Sequence, residues 1–138
     1  MEVRFYEIGE IEDSLLTFAV IVARYMDKWV WVKNKMRKAW EVPGGRRENN
    51  ETILDTARRE LYEETGATEF DLIPVCIYSV KKEIKTFGML YFAEITELDT
   101  LPNTEIEAIN FFENIPEELS FPLIQPKLLY QVQKYLEM

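Results

Sequence analysis

Glu60, Glu63 and Glu64 stand at spacing i, i+3 and i+4. On a helix, about 100° per residue sets them within roughly 100° of arc on one face. Each such like-charge pair costs a few tenths of a kcal/mol in the absence of a counterion. A divalent cation turns that repulsion into ligation, and a donor set made only of oxygen suits Mg²⁺, with Mn²⁺ as a substitute, better than zinc. Arg59 lies about 100° off the Glu60/Glu64 face. From there it can reach back to Glu51 or a neighbouring carboxylate and fix its rotamer. Alone, a run of Glu and Arg is equally a solvated helix of exposed ion pairs, each worth under about 1 kcal/mol.

The wider spacing separates these readings. Gly45 is followed by five residues and Glu51, then by seven residues and Arg59-Glu60, an aliphatic, any residue, Glu63-Glu64, any residue and Gly66. Every fixed position of this pattern is met, and it resembles the Nudix box. Ala67 stands where the pattern usually has a larger aliphatic, a difference that concerns packing at the helix end and no ligand.

The resemblance implies an α/β/α sandwich with a mixed β-sheet. It also implies hydrolysis of a nucleoside diphosphate linked to another group, assisted by a divalent metal. By the same resemblance Glu60, Glu63 and Glu64 are the principal metal ligands, and the carbonyl of Gly44, just before the box, joins the metal shell. Gly45, Glu51 and Gly66 are then supporting positions. Glu60 or a later acid deprotonates the attacking water. Glu105 and Glu107 flank Ile106 ahead of a late strand; Glu105 lies nearer the loop end, so the base stays open between Glu60 and Glu105. Glu94, inside a strand pattern, is a weaker candidate.

Two further positions bear on substrate. Lys33, Lys35, Arg37 and Lys38 form a basic segment ahead of Pro43-Gly44-Gly45, and Arg37 is the residue assigned to phosphate contact, although basic loops and Pro-Gly-Gly turns are ordinary surface features. In members similar to the MutT type, an amide after a Phe-Pro segment reads the purine. Here Phe121-Pro122 leads to Gln125, which can donate and accept but is also a plain polar residue ahead of a helix-initial proline. A purine nucleoside triphosphate such as 8-oxo-dGTP therefore leads. Nucleotide sugars, dinucleotides, an RNA 5′ end and a non-catalytic nucleotide-sensing module are the alternatives.

Composition narrows the chemistry further. The 138-residue chain contains no histidine, which excludes Ser-His-Asp and Cys-His catalysis and an imidazole base. Its net charge of −9 opposes stable, nonspecific nucleic-acid binding, while a small nucleotide is still compatible. No apolar run spans a bilayer and the amino terminus lacks the pattern of a secretory signal, so a cytoplasmic protein, monomer or homodimer, is expected. At this length one domain over residues 1–138 is expected. Cys76, the lone cysteine, lies between the apolar Val75 and Ile77 and is expected to be a buried, inert thiol.

Several elements must position these groups. Strands are expected at 3–8, 15–25, 29–32, 72–80, 87–95 and 106–112, with a turn at Asp27-Lys28 and a hairpin at 81–85. Trp29 and Trp31 share one sheet face, to cover core or sheet edge or to stack a base. The box helix should start at Thr52, whose hydroxyl and Asp55 make a capping box, and end near Thr65 with Gly66 left-handed. Ile53, Leu54, Ala57 and Leu61 form its apolar side. A short helical turn is expected at Pro116–Leu119 and a closing helix over 126–136, with Pro126 in its first turn.

Overall fold

The structure, a computed structural model, describes residues 1–102 and 105–137. Among them are strands β1 (Glu2–Tyr6), β2 (Leu16–Tyr25), β3 (Lys28–Asn34), β4 (Trp40–Glu41), β5 (Gly44–Arg46), β6 (Ala67–Lys81), β7 (Lys85–Leu98) and β8 (Ile106–Phe112), with helices α1 (Ile53–Thr65) and α2 (Gln125–Leu136). The strands form one mixed sheet in the order β1-β6-β7-β2-β3-β4, with β5 beside β2 and β8 beside β3. Of the ladders between these strands, the β2–β7 pair runs parallel and the others antiparallel.

Side-chain alternation explains the layers. Ala19, Ile21 and Ala23 of β2 and Met89, Tyr91 and Ala93 of β7 pack with Ile53, Ala57 and Leu61 of α1. The intervening Val22, Leu90 and Phe92 pack on the other face with Leu128, Leu129 and Val132 of α2. A strand buried on both faces reads as a nearly continuous apolar run, as β2 does. Burying a side chain such as Ile21 or Leu90 contributes about 1.5–3 kcal/mol.

The register of β2 matters most for the site. Its first half pairs with β5, Phe18 opposite Arg46 and Val20 opposite Gly44. Its last three residues pair with β3. Pro43-Gly44-Gly45 is therefore not a turn: Gly44 and Gly45 lie in a short strand, and neither has a positive φ. These glycines are needed for close approach. A Cβ on Gly44 would meet the Ala19 carbonyl at 2.7 Å, and one on Gly45 would overlap the Glu60 carboxyl group.

Other differences have local causes. The β2–β3 turn is at Met26-Asp27, both at positive φ, one residue earlier than expected. Pro116–Leu119 is not helical, because Leu119 bridges Trp40 and the backbone bonds run to Trp40 on both sides of it. Leu54 is exposed, and Thr56 takes the inward place beside Ala57. Trp31 is 1% exposed within the α2-side core and Trp29 packs against that core, so the core-covering role holds for both and neither faces the acids. Cys76 is half-buried, and burial pushes its thiol up to about 11.

Candidate active site

Helix α1 is fixed at both ends. The Thr52 hydroxyl accepts the Asp55 N–H at 3.0 Å while the Asp55 carboxylate accepts the Thr52 N–H at 3.2 Å. At the other end Gly66, at φ 80°, donates its N–H to the Tyr62 carbonyl at 2.8 Å. The Asp99 carbonyl lies where a Gly66 Cβ would point, so chain contact and backbone conformation both exclude a larger residue there.

With the helix so anchored, its acids meet β5. Glu64 is 8% exposed, and its Oε1 accepts the Gly44 N–H at 2.9 Å. Burial pushes its carboxyl up to about 8, against the pull of that N–H; Glu60 and Glu41 add repulsion. Glu60 packs on the bare backbone of Gly45, and burial raises its pKa as well, opposed by Arg59. Glu63 is more exposed, at 38% of its side chain. The three acids, with Glu48, Arg59, Pro102 and Glu105, line a cleft of about 470 Å³.

Arg59 is the cation now among them. Its guanidinium donates to both Glu51 carboxylate oxygens at 2.6 and 3.0 Å, to Glu60 at 2.7 Å, to Glu63 at 3.3 Å and to the Arg46 carbonyl at 3.1 Å. Glu51 also accepts from the Thr56 hydroxyl and the Glu48 N–H, and Arg59 holds its carboxyl down at about 2. Among the described residues no three acids stand close enough together to hold a metal ion in this arrangement. Ligation requires Glu60 and Glu63 to swing off Arg59.

The residues nonetheless fit a hard divalent cation by their chemistry. The donors are all oxygen, the glycine at 45 leaves room for the Glu60 carboxylate, and Glu64 is a buried acid whose charge the Gly44 N–H and the more distant Arg37 offset only in part. Bonds from Pro43 and Arg47 to β2 alternate along β5, so the polar groups of Gly44 face away from β2, toward Glu64.

Behind the Gly44-Gly45 strand lies a second cavity of about 460 Å³, mostly apolar, on the α2 face. Arg37 and Gln125 line it, away from the acid cleft. Arg37 is held by two bonds to the buried Glu41, at 2.9 and 2.7 Å, and lies over the Phe121 ring at 5.2 Å. The Oε1 of Gln125 accepts the Val42 N–H at 2.8 Å, so its acceptor is engaged within the protein and its NH₂ is left to donate. Glu105 lines the acid cleft, its carbonyl accepting the Lys35 N–H at 3.0 Å. Glu107 pairs with Lys38 and Glu94 with Arg24, which take both away from the acids.

Phe18, Glu41 and Arg46 were not expected at the site, and Phe121 was expected only as part of the Phe-Pro segment ahead of Gln125. The Arg46 guanidinium lies over Phe18 at 4.8 Å, and Phe121 is 46% exposed at φ 52°. An exposed aromatic in a strained conformation at a cavity mouth is a mark of a ligand contact.

Comparison with known proteins decides the family. The NUDIX domain pattern matches residues 14–130. The chain belongs to the Nudix hydrolase family. It is 36% identical over 107 residues to an uncharacterised 17.7 kDa protein of Enterobacteria phage T4, covering 70% of this chain and 67% of that one. It is 33% identical over 102 residues to Bacillus subtilis YtkD, provisionally named an 8-oxo-dGTP diphosphatase, covering 72% of this chain and 64% of that protein. The crystal structure of a mutant form of the Bacillus subtilis pyrophosphohydrolase BsRppH superposes with a TM-score of 0.81 at 23% identity, over 96% of this chain and 90% of that one. This Nudix chain thus has the expected sandwich, a mixed sheet between two helices. No helix among the described residues is long and apolar enough to cross a membrane.

Proposed function

We propose that this Nudix chain hydrolyses the diphosphate linkage of a nucleotide with Mg²⁺, or Mn²⁺ in its place, and that a purine nucleoside triphosphate such as 8-oxo-dGTP is cleaved to monophosphate and pyrophosphate. One observation carries the reading: the Gly44-Gly45 strand is a shared wall, with Glu60 and Glu64 against one side and an apolar, aromatic cavity on the other. Anionic and heterocyclic parts of one nucleotide can occupy the two sides.

Glu60, Glu63 and Glu64, with the Gly44 carbonyl, would hold the cation. When bound, it neutralises phosphate oxygens and lowers the pKa of a water. The chain's own groups do the remainder. Arg59 keeps Glu51 in a fixed rotamer and holds Glu60 and Glu63 until the cation takes them over, and Arg46 adds positive charge on the cavity side. Glu60 or Glu105 takes the proton from the attacking water; both line the cleft. Phe18 and Phe121 supply faces for a base, and the Gln125 NH₂ donates to an acceptor on its edge. A donor at that place favours guanine-type O6 or N7 acceptors. The similarity to YtkD supports this choice of substrate.

The purified chain incubated with Mg²⁺ and a panel of nucleoside triphosphates, nucleotide sugars, dinucleotides and 5′-triphosphorylated RNA tests the proposal. Monophosphate plus pyrophosphate from purine triphosphates supports it. Binding without cleavage of any of them would make the chain a nucleotide sensor.

A further inference from the structure

The wall of the apolar cavity holds few polar side chains, and most are committed to the protein. Arg37 and Glu41 bond to each other, the Thr86 hydroxyl donates to the Val80 carbonyl at 3.4 Å, and the Gln125 Oε1 takes the Val42 N–H. Lys82 is exposed at the rim. Tyr78 is different: it is 6% exposed, yet its hydroxyl has no hydrogen-bond partner among the described residues. Trp31 Nε1 and Ser120 Oγ also have no partner there, but both are sealed inside the protein, whereas the Tyr78 hydroxyl opens on the cavity. Tyr91, the other buried tyrosine, packs in the α1-side core and does not line this cavity. A buried hydroxyl left unbonded costs stability, so its retention calls for a partner from outside.

Strand register sets where that hydroxyl lies. Tyr78 pairs with Gly88 and Gly88 with Phe18, so the three form a row across β6, β7 and β2. A Cβ on Gly88 would meet Cε1, Cζ and the hydroxyl oxygen of Tyr78, each at 2.7 Å. The phenol therefore lies along the sheet over bare backbone, with its hydroxyl directed toward the Phe18 side of the floor. Burial raises its pKa, which keeps the proton on the oxygen. Across the cavity, at the start of α2, stands Gln125, 7% exposed and with an NH₂ left to donate. Two donors match a ligand edge with two adjacent acceptors, the O6 and N7 of guanine, whereas adenine puts an amino donor in place of one of them. A phenol oxygen also accepts, so the same hydroxyl takes the N7–H of an 8-oxo-guanine.

We propose that the Tyr78 hydroxyl is a specificity-determining contact of the cavity, bonded to N7 of a guanine-type base, and that position 88 is glycine to seat the phenol there. The inference rests on the cavity being the place of the base. Gln125 then reads O6 and Tyr78 reads N7. The stability given up by an unbonded hydroxyl in the free protein is recovered when the base arrives.

The test compares wild type with Tyr78→Phe in equilibrium binding of the α,β-imido analogues of dGTP, 8-oxo-dGTP and 7-deaza-dGTP, in which nitrogen replaces the oxygen of the cleaved linkage. The variant should bind the dGTP analogue, the 8-oxo-dGTP analogue or both about tenfold more weakly. It should hold the 7-deaza analogue, which has C–H in place of N7, as tightly as wild type does. Without ligand, its Tm should equal or exceed that of wild type, because the hydroxyl removed had no bond to lose. Equal loss for all three analogues, no loss for any, or no binding of any overturns the inference. So does a lower Tm of the free variant, which would show a bond inside the protein. Hydrolysis of the matching triphosphates is measured alongside: cleavage without the selective loss leaves the hydrolase standing and removes Tyr78 from base recognition, and the selective loss without cleavage does the reverse.

Discussion

The Gly44 N–H and the Glu64 carboxylate are 2.9 Å apart, a backbone donor from a three-residue strand set against the most buried acid of α1. That bond couples the helix to the strand that walls off the apolar cavity. It also leaves Glu64 well short of full compensation, with its carboxyl pushed up to about 8 by burial.

The first prediction follows from that position. Glu64→Gln should keep the bond to Gly44 through the amide oxygen while losing a ligand charge. Turnover should fall at least about a hundredfold, the upper range for losing a group that merely supports a metal ligand, while the circular dichroism spectrum is unchanged. Near-wild-type turnover would remove Glu64 from the ligand set.

Linkage gives the sign of the pH effect. A folded pKa of about 8, above the ordinary 4.5, means that the metal-free folded protein holds a proton the unfolded chain releases. This contribution is fully present below 4.5 and lost as pH rises through 8. In chelator, wild type should therefore lose stability relative to Glu64→Gln between about pH 5 and pH 9, read by denaturant melts. Parallel curves would show that Glu64 is ionised throughout.

Metal should reverse that trend. Ligation needs the carboxylate, so Mg²⁺ should raise Tm more at about pH 8 than at pH 6 and release protons on binding. Calorimetry in two buffers of different ionisation enthalpy counts those protons. No proton release near neutral pH would contradict the burial of an uncompensated Glu64.

Arg59→Ala removes two bonds to Glu51 and leaves Glu60 and Glu63 unpaired. A loss of about 2 kcal/mol is expected at neutral pH for part-buried, charge-assisted bonds. Glu51, held at about 2, contributes stability present above 4.5 and lost as pH falls through 2. The gap between wild type and variant should thus narrow in acid, and Arg59→Lys should recover only part of it because the two-pronged geometry is lost. A gap that widens as acid is added would contradict the pairing.

Gly45→Ala should act through space alone. Its Cβ would overlap the Glu60 carboxyl, displacing it at little cost to the strand. Activity should drop at least about tenfold with stability changed by less than about 1.5 kcal/mol. Full activity would mean that the Glu60 rotamer is not used in catalysis.

Much of this was legible in the sequence because it is local. The cap at Thr52-Asp55, the left-handed Gly66 and the i, i+3, i+4 acids follow from helix geometry within a few residues. Ile106–Phe112 emerged with its expected bounds because alternation alone defines a strand. The remainder depends on distant partners. Gly44 and Gly45 carry the local signal of a turn, but pairing with β2 makes them a strand, and Leu119 is drawn into a bridge by Trp40. Gln125 kept its helix-start place, yet its acceptor is claimed by Val42, a pairing across 83 residues that no local pattern carries. The aromatic faces of Phe18 and Phe121 meet one cavity only through the sheet and the strained approach to α2.

The measurement closest to the central claim is product formation from a purine nucleoside triphosphate as Mg²⁺ is titrated, in wild type and Glu64→Gln. Monophosphate and pyrophosphate should rise with metal to saturation in wild type, vanish in chelator, and be lost in the variant. Equal rates with and without metal, or in both proteins, would contradict acids that act by holding a divalent cation.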